Sequence, residues 1–277
     1  MNFPLILKWT ITDKCNFNCK HCYKNHRTKE MSKKDIDLII NELKNNKIAC
    51  IALTGGEPLL SKHFPYIVRK LKESNIVTEV ATNGYFITKD IINLFKENGI
   101  KKIQISLEGP NAKINDFIRG KGTFDVVVNN IKRLVSENIK VVIANTLNHY
   151  NCIFLDEMVE LANCLKVFAL RFEIYIPVRD DKYKLNLTLN DLKYIRKNFV
   201  RYKEYKNIIL PIFHDKNNCG AGKYMAMLNS DNTISPCDLL SDKVRSSKSI
   251  NSKCSFKNIW LNDIILKEWR NLSLIHI

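Results

Sequence analysis

The sequence predicts an α/β fold in which six strand–helix units form a partial barrel, extended by a β-hairpin and a helical segment. Three observations carry this prediction. Apolar runs of strand length alternate with amphipathic segments at a spacing of ~30 residues, which is typical of parallel sheets with helical crossovers. Loops that contain glycine and polar residues follow the strand-like runs. The alternation stops near residue 203, and a different pattern begins at Cys219.

Each unit is predicted from its own periodicity. A helix is expected to begin near Ser32, a suitable N-cap, because apolar residues then recur on one face. The predicted strands are 5–12, 48–54, 76–82, 102–107, 141–145 and 169–174. The further predicted helices are 64–73, 89–98, 124–137, 155–164 and one that begins near Leu189.

The length of the repeats predicts an incomplete barrel. A barrel of eight such units typically takes ~250 residues, and here the units end at about residue 205. We therefore divide the chain into a barrel, residues 1–205, and an extension, residues 206–277. Functional residues are expected at the carboxyl ends of the strands, where ligands bind in such folds.

The composition of the chain excludes some protein classes and some cellular locations. No apolar run approaches the ~18 residues of a membrane span, and Met1 is followed almost at once by a predicted strand, without a signal peptide. Nine cysteines in such a chain indicate a reducing cytoplasm, where clustered thiols are typically metal ligands. The formal charge is +16, but the lysines are scattered and no basic cluster contains stacking aromatics. Nucleic-acid binding is therefore not expected.

Three cysteines follow the first predicted strand. Cys15, Cys19 and Cys22 lie within eight residues, with three residues between the first pair and two between the second. A structural zinc site takes four ligands, as does an ordinary iron–sulfur cluster, so three thiolates leave one metal position open for chemistry. A zinc site completed by His21 or a distant ligand is the alternative.

Polar motifs follow the next strands. Gly55, Gly56, Glu57 and Pro58 come directly after the second predicted strand. Glycines permit a close backbone approach to a ligand, and Glu57 places a carboxylate there, although a simple turn has the same composition. Polar residues also follow the third and fourth strands, where they are able to bind ribose hydroxyls. These candidates are Asn83, Ser106 and Glu108, with Arg119 beyond them as either a ligand-binding or a solvated residue.

The cysteine spacing and the Gly-Gly-Glu-Pro loop together resemble the radical S-adenosylmethionine (SAM) family. The resemblance implies a partial (β/α)6 TIM-like barrel and a 4Fe-4S cluster on Cys15, Cys19 and Cys22, whose fourth iron binds SAM. It further implies that residues 55–58 hold the methionyl amino group of SAM. Ser106 and Glu108 are implied near its ribose or carboxylate, with Asn83 close by. The segment that begins at Arg119 resembles one common in peptide-modifying relatives.

The tail carries a second set of cysteines. Cys219 and Cys237 flank two apolar runs joined by a turn, which predicts a β-hairpin that brings both cysteines together, and Cys254 follows. The set resembles the SPASM/twitch extension, which implies one or more auxiliary 4Fe-4S clusters, with zinc as the alternative by ligand type. Residues 272–277 resemble the translation of a sequencing adapter, so we expect the natural protein to be longer and to supply further ligands.

The family resemblance implies an enzyme that reduces SAM to methionine and a 5′-deoxyadenosyl radical, which takes a hydrogen from a substrate. No protein nucleophile or base is assigned. The tail favours a peptide or protein substrate, and a reductase such as flavodoxin or ferredoxin would supply the electron. One alternative is modification of a tetrapyrrole or another small molecule by the same chemistry. Another is a zinc- or RNA-binding protein without catalysis.

Overall fold

A computed structural model describes residues 2–24, 30–178, 182–211 and 219–271. The described residues form one sheet of nine strands in the order β7-β6-β5-β4-β3-β2-β1-β8-β9, and only the β8–β9 pair is antiparallel. Each of the strands from β1 to β6 therefore pairs with the next one along the chain, as helical crossovers predict. The strands are β1 Ile6–Thr10, β2 Cys50–Thr54, β3 Val77–Thr82, β4 Lys102–Ser106, β5 Lys140–Leu147, β6 Ala169–Ile174, β7 Ile208–Ile209, β8 Met225–Leu228 and β9 Ile234–Ser235.

Helices cover one face of this sheet. They are α1 Lys33–Asn45, α2 Phe64–Glu73, α3 Lys89–Glu97, α4 Ala112–Arg119, α5 Thr123–Ser136, α6 Leu155–Cys164, α7 Leu189–Tyr202, α8 Phe256–Asn262 and α9 Ile264–Asn271. Ser32 caps α1, as the sequence predicts, and accepts a hydrogen bond from the backbone of Asp35. No helix among the described residues is both long and apolar enough to cross a bilayer.

The two faces of the sheet differ in chemistry. In β1, Leu7 and Trp9 have no exposed surface and pack in the core, whereas Lys8 between them is half-exposed. The same alternation holds in β4, where Ile103 and Ile105 are buried and Gln104 is not. Burial of such side chains against the helices stabilises the fold by about 1.5–3 kcal/mol each. The opposite face is lined by small, polar and charged residues.

The six predicted strand–helix units are confirmed, and three features were not predicted. Helix α4 follows β4 before the predicted helix α5, and the two-residue strand β7 extends the sheet beyond β6. Strand β8 of the predicted hairpin pairs in parallel with β1, with Lys8 opposite Met227. The tail therefore continues the sheet of the barrel. Residues 272–277, predicted to be an adapter-derived end, lie outside the described residues.

Candidate active site at the cysteine loop

The three predicted ligands of the first set lie on the loop that leaves β1. Cys15, Cys19 and Cys22 are all half-buried thiols. The backbone N–H of Cys22 donates to the carbonyl of Cys19 at 3.0 Å, so the last two cysteines share a turn. The loop is fixed from α4 as well, since the N–H of Lys20 donates to the carbonyl of Ile118 at 2.9 Å. These contacts hold the loop at the carboxyl end of the sheet.

Burial favours the protonated form of the cysteine thiols. Burial raises the pKa of Cys19 to about 11, although the nearby Arg119 guanidinium opposes this. Burial also raises the pKa of Cys15. Because thiolates rather than thiols bind metals, loading the loop releases protons, and the buried cation compensates part of the resulting negative charge. Three thiols beside a guanidinium fit an anionic iron–sulfur cluster.

A single zinc ion and a four-iron cluster place different demands on their ligands. Zinc needs its ligands to converge at ~2.0–2.3 Å around one ion. Among the described residues, no group of three histidine, cysteine or acidic side chains is arranged to hold a single ion. A four-iron cluster binds each thiolate through a different iron, and therefore takes sulfurs that are further apart.

The glycine loop after β2 packs directly on the cysteine loop. The N–H of Gly56 donates to the carbonyl of Thr12 at 2.9 Å, and the N–H of Glu57 donates to that of Lys14 at 2.7 Å. A Cβ added at Gly55 would lie 2.5 Å from the carbonyl oxygen of Thr12, and one at Gly56 would lie 2.4 Å from that of Lys14. Both glycines are thus needed for contact between the loops, which a simple turn would not require.

Glu57 is completely buried and is held by donors of the protein itself. One carboxylate oxygen accepts from the N–H of Leu59 at 3.0 Å and from the Thr82 hydroxyl at 2.7 Å. The other accepts from the N–H of Asn83 at 2.7 Å. Burial raises the pKa of this carboxyl, and the three hydrogen bonds oppose that shift. The side chain therefore joins the ends of β2 and β3, and Pro58 next to it begins a short 3₁₀ helix.

Asn83 links the end of β3 to the cysteine loop. Its side-chain amide donates to the side-chain oxygen of Asn16 at 2.8 Å, and its own side-chain oxygen accepts from the N–H of Tyr85 at 2.9 Å. Asn83 is 5% exposed, so these bonds are made inside the protein. The candidate residues of β2 and β3 and the cysteine loop thus form one connected structure.

A buried charge network lies on the other side of the loop. Arg119 at the end of α4 donates to a carboxylate oxygen of Glu108 at 3.2 Å, and His21 lies 3.5 Å from the same oxygen. The other oxygen of Glu108 accepts from the N–H of Thr146 at 2.7 Å. The carbonyl of Arg119 lies 4.0 Å from the sulfur of Cys19. The network therefore borders the cysteine loop directly.

Two nitrogen atoms of this network are buried without a hydrogen-bond partner. They are Nε of Arg119 and Nδ1 of His21. Burial raises the pKa of Glu108, and the neighbouring Arg119 opposes that shift. For His21, burial is the main cause and the positive charge of Arg119 the second cause of a pKa lowered to about 3. A buried polar atom without a partner is costly, so such atoms indicate where a ligand would bind.

Sequence reasoning treated the members of this network unevenly. Glu108 and Arg119 were predicted individually, but His21 was considered only as a zinc ligand. Asn115 was missed: its side-chain oxygen accepts from the N–H of Glu108 at 3.0 Å and so fixes the loop after β4. Ser106 is the last residue of β4, half-exposed, with its Cα paired to Ala144 of β5.

A cavity of about 340 Å³ opens beside the cysteine loop. Residues 18–24 form one wall, and Tyr175, Ile176, Val178, Lys182 and Tyr183 form the other. The cavity therefore lies between the loop after β1 and the segment after β6. A larger cavity of about 600 Å³ lies elsewhere, between Asn2, Tyr224 and α9.

In the tail, two of the three predicted cysteines are close enough for one to influence the pKa of the other. Cys219 and Cys237 lie near the open ends of the β8–β9 hairpin, and the nearby Cys219 contributes to a raised pKa of Cys237, whose main cause is burial. Cys254 lies in a later turn, where its N–H donates to the carbonyl of Asn251 at 3.1 Å. No contact within the described part of the chain joins Cys254 to the other two.

Comparison with known proteins places these features in a family. The model of the Radical SAM superfamily matches residues 9–162. The chain is 25% identical over 291 residues to the mycofactocin maturase MftC of Mycobacterium tuberculosis, covering 98% of this chain and 73% of that protein. It is 30% identical over 151 residues to the Fe-coproporphyrin III synthase of Methanosarcina barkeri, covering 53% of this chain and 38% of that protein.

The fold has a close counterpart among solved structures. The crystal structure of Streptococcus suis SuiB bound to the precursor peptide SuiA matches with a TM-score of 0.83 at 17% identity. The match covers 98% of this chain and 68% of that one. The predicted partial-barrel fold is therefore confirmed. At this identity the likeness shows the fold alone.

Proposed function

Since the chain belongs to the radical SAM superfamily, we propose that it cleaves SAM reductively and uses the resulting radical to modify a peptide or protein. The family implies an enzyme with a 4Fe-4S cluster and SAM. Our proposal assigns the cluster to Cys15, Cys19 and Cys22. The observation that carries it is the loop itself, which holds three half-buried thiols, with the Arg119 guanidinium near enough to Cys15 and Cys19 to oppose the rise in pKa that burial causes.

The protein's own residues provide an oriented and shielded site. When bound, the reduced cluster supplies one electron that breaks a C–S bond of SAM and gives methionine and a 5′-deoxyadenosyl radical. Gly55 and Gly56 let the glycine loop approach the cysteine loop, and the buried Glu57 fixes that loop to the end of β3. Arg119 and His21 each offer a buried nitrogen that a bound ligand would satisfy. Such preorganised groups cost little reorganisation during reaction.

Ser106, Glu108, Asn83 and Pro58 complete the proposed SAM site. Ser106 ends β4 on the open face of the sheet, where a ribose hydroxyl is able to reach it. Glu108 is 1% exposed and already accepts from Arg119 and the backbone, so we assign it a positioning role. Asn83 holds the cysteine loop through Asn16.

A peptide substrate is supported by the extent of the fold likeness. SuiB, which was crystallised with a precursor peptide, matches 98% of this chain, so the likeness includes the tail. A tetrapyrrole is the second candidate, because a relative is named Fe-coproporphyrin III synthase. Its alignment covers only 53% of this chain, so we favour the peptide.

We propose that residues 206–277 form an auxiliary-cluster extension of the barrel at 1–205. Cys219 and Cys237 are the first two ligands, because the hairpin brings them together. Cys254 is a third only if the turn that carries it approaches them. A cluster bound there would raise the iron and sulfide content of the protein above the amount that the first cluster contributes.

The proposal is tested by anaerobic reconstitution with iron and sulfide, followed by dithionite and SAM. We expect a brown protein that releases 5′-deoxyadenosine. Cys19→Ala should abolish the release, whereas Cys164→Ala, which removes an exposed thiol on α6, should leave it unchanged. Cys237→Ala should lower the iron content and retain SAM cleavage. A colourless protein that binds zinc and leaves SAM intact would refute the enzymatic function.

A further inference from the structure

A group of aromatic and cationic side chains, two of them exposed and two half-buried, lies next to the cysteine loop. We define this aromatic platform as Lys20, Phe117, Tyr150 and Tyr183. The Lys20 ammonium lies 3.2 Å from the ring centre of Phe117 and 5.5 Å from that of Tyr183. The rings of Phe117 and Tyr150 are 4.6 Å apart, and each residue is 39% exposed. The platform is therefore contiguous and reaches solvent.

The platform is separated from the proposed cluster ligands by very little protein. Lys20 is the residue after Cys19 in the chain. Phe117 immediately precedes Ile118, whose carbonyl accepts from the N–H of Lys20 at 2.9 Å. The next residue, Arg119, places its carbonyl 4.0 Å from the Cys19 sulfur. Because electron transfer slows steeply with distance, a thin wall over the ligands is where an external electron is best delivered.

The charge of the platform favours an acidic partner. Lys113 lies four residues before Phe117, on the same face of α4, and is exposed. Within the described part of the chain, neither Lys20 nor Lys113 forms a salt bridge. Two acids in the described part of the chain are already engaged: Asp116 accepts from the backbone of 122 and 124, and Asp191 is paired with His149. Aromatic residues are enriched at protein interfaces, and lysines at the rim of such a surface attract an oppositely charged partner.

We infer that the aromatic platform is the docking surface for a small acidic one-electron carrier. This inference rests on the proposed function. The carrier loses one electron and the cluster bound at the cysteine loop gains it, so no proton or further reactant is required at this step. Lysine ammoniums meet the acidic rim of the carrier, and the exposed rings of Phe117 and Tyr150 form the apolar centre of the contact. Association steered by such charges becomes slower as salt rises.

A peptide substrate is the other partner that an exposed surface of this kind would accept. Lys20 and Tyr183 also line the cavity beside the cysteine loop, so position alone does not separate the two partners. The electron carrier is favoured because a single residue, Ile118, separates the exposed ring of Phe117 from the Arg119 carbonyl that lies against the Cys19 sulfur. The choice of reductant distinguishes the two possible partners. A carrier surface matters only when the carrier supplies the electron, and a substrate surface matters with any reductant.

The experiment compares two reductants on the reconstituted chain. Reduced flavodoxin and dithionite are each used to drive 5′-deoxyadenosine release by the wild type and by the double variant Lys113→Glu, Phe117→Ser. Neither substituted residue belongs to the proposed SAM site. We expect the flavodoxin-driven rate at low salt to fall about tenfold, because a charge and an aromatic contact are lost. The dithionite-driven rate should not change.

A matched control exists at the other end of the sheet. Phe168 comes directly before β6 and is 51% exposed, and Lys140 at the start of β5 lies 4.8 Å from its ring centre. The two therefore form a similar pair at the amino ends of their strands, opposite to the end that carries the cysteine loop. The control double variant combines Phe168→Ser with Lys132→Glu on the exposed face of α5. It should retain the full rate with both reductants.

Binding is measured separately from activity. Titration of fluorescently labelled flavodoxin should show weaker binding to the platform variant than to the wild type and to the control. Unchanged binding and an unchanged flavodoxin-driven rate would overturn the proposal. An equal loss with dithionite, or a raised KM for a peptide substrate under dithionite, would also overturn it and assign the surface to SAM or the substrate. Failure of the wild type to cleave SAM with dithionite would instead refute the proposed function.

Discussion

Replacing Gly56 by alanine tests whether the glycine loop must touch the cysteine loop. The added Cβ would lie 2.4 Å from the carbonyl oxygen of Lys14 and 2.7 Å from that of Asp13. Both are backbone atoms, which cannot rotate away, so the two loops must separate. Two backbone hydrogen bonds at about 0.5–1.5 kcal/mol each and an overpacking cost of 1–3 kcal/mol give an expected loss of about 2–6 kcal/mol.

The matched control for this change is Gly99→Ala. Gly99 has no atom within 4 Å of an added Cβ, but its φ is +69°, so the substitution introduces backbone strain without a clash. A left-handed conformation costs a non-glycine residue about 1–2 kcal/mol. Guanidinium unfolding gives both losses of stability, and the iron content after reconstitution gives the state of the cysteine loop. Only Gly56→Ala should lower the iron content.

The result that would refute this reasoning is specific. If Gly56→Ala unfolds at the same guanidinium concentration as the wild type and binds the same amount of iron, the close contact between the loops is not required. If Gly99→Ala lowers iron content equally, general destabilisation rather than the contact explains the loss.

Three further substitutions test the buried charges. Glu57→Gln should lower the free energy of unfolding by about 1–3 kcal/mol, because the new side-chain NH₂ group would face the N–H donor of Asn83 at the end of β3. Thermal unfolding measures this loss, and an unchanged Tm would contradict it. Arg119→Met should cost about 3–5 kcal/mol by leaving Glu108 without its partner, and adding Glu108→Gln should restore part of it in urea unfolding. Burial raises the pKa of Asp191, but hydrogen bonds led by His149 outweigh it and hold the value at about 2. Asp191→Asn should therefore lower stability by about 1–2 kcal/mol at neutral pH, and this difference should vanish as the pH falls from about 4 to 2.

Local sequence patterns predicted most of the fold because each unit carries its own signal. The amphipathic faces and the caps are local, so α1 and α7 begin where Ser32 and Thr188 make their capping hydrogen bonds. Helix α4 was missed because it has only eight residues and follows Gly109 and Pro110, which indicate a loop. Its cap, Asn111, was the available signal, since its side chain accepts from the backbone of Ile114.

The predicted site residues are connected in ways that the local sequence did not indicate. Glu57 was expected to face a ligand, yet its carboxylate is occupied by the backbone and side chains of β3. Glu108 and His21 meet across 87 residues of chain, and α4 brings Arg119 to the same oxygen. Such contacts depend on how neighbouring strand ends pack, and no local periodicity encodes that packing.

The tail illustrates the same limit. The turn at 229–232 predicted the β8–β9 hairpin, but nothing local indicated that β8 would pair in parallel with β1, more than 200 residues earlier. This pairing brings Asp238, next to Cys237, into an ion pair with Lys8 of β1. The sheet is therefore continuous across residue 205. Because β8 of the hairpin is hydrogen-bonded to β1, which leads into the cysteine loop, a displacement of the hairpin should also displace the loop.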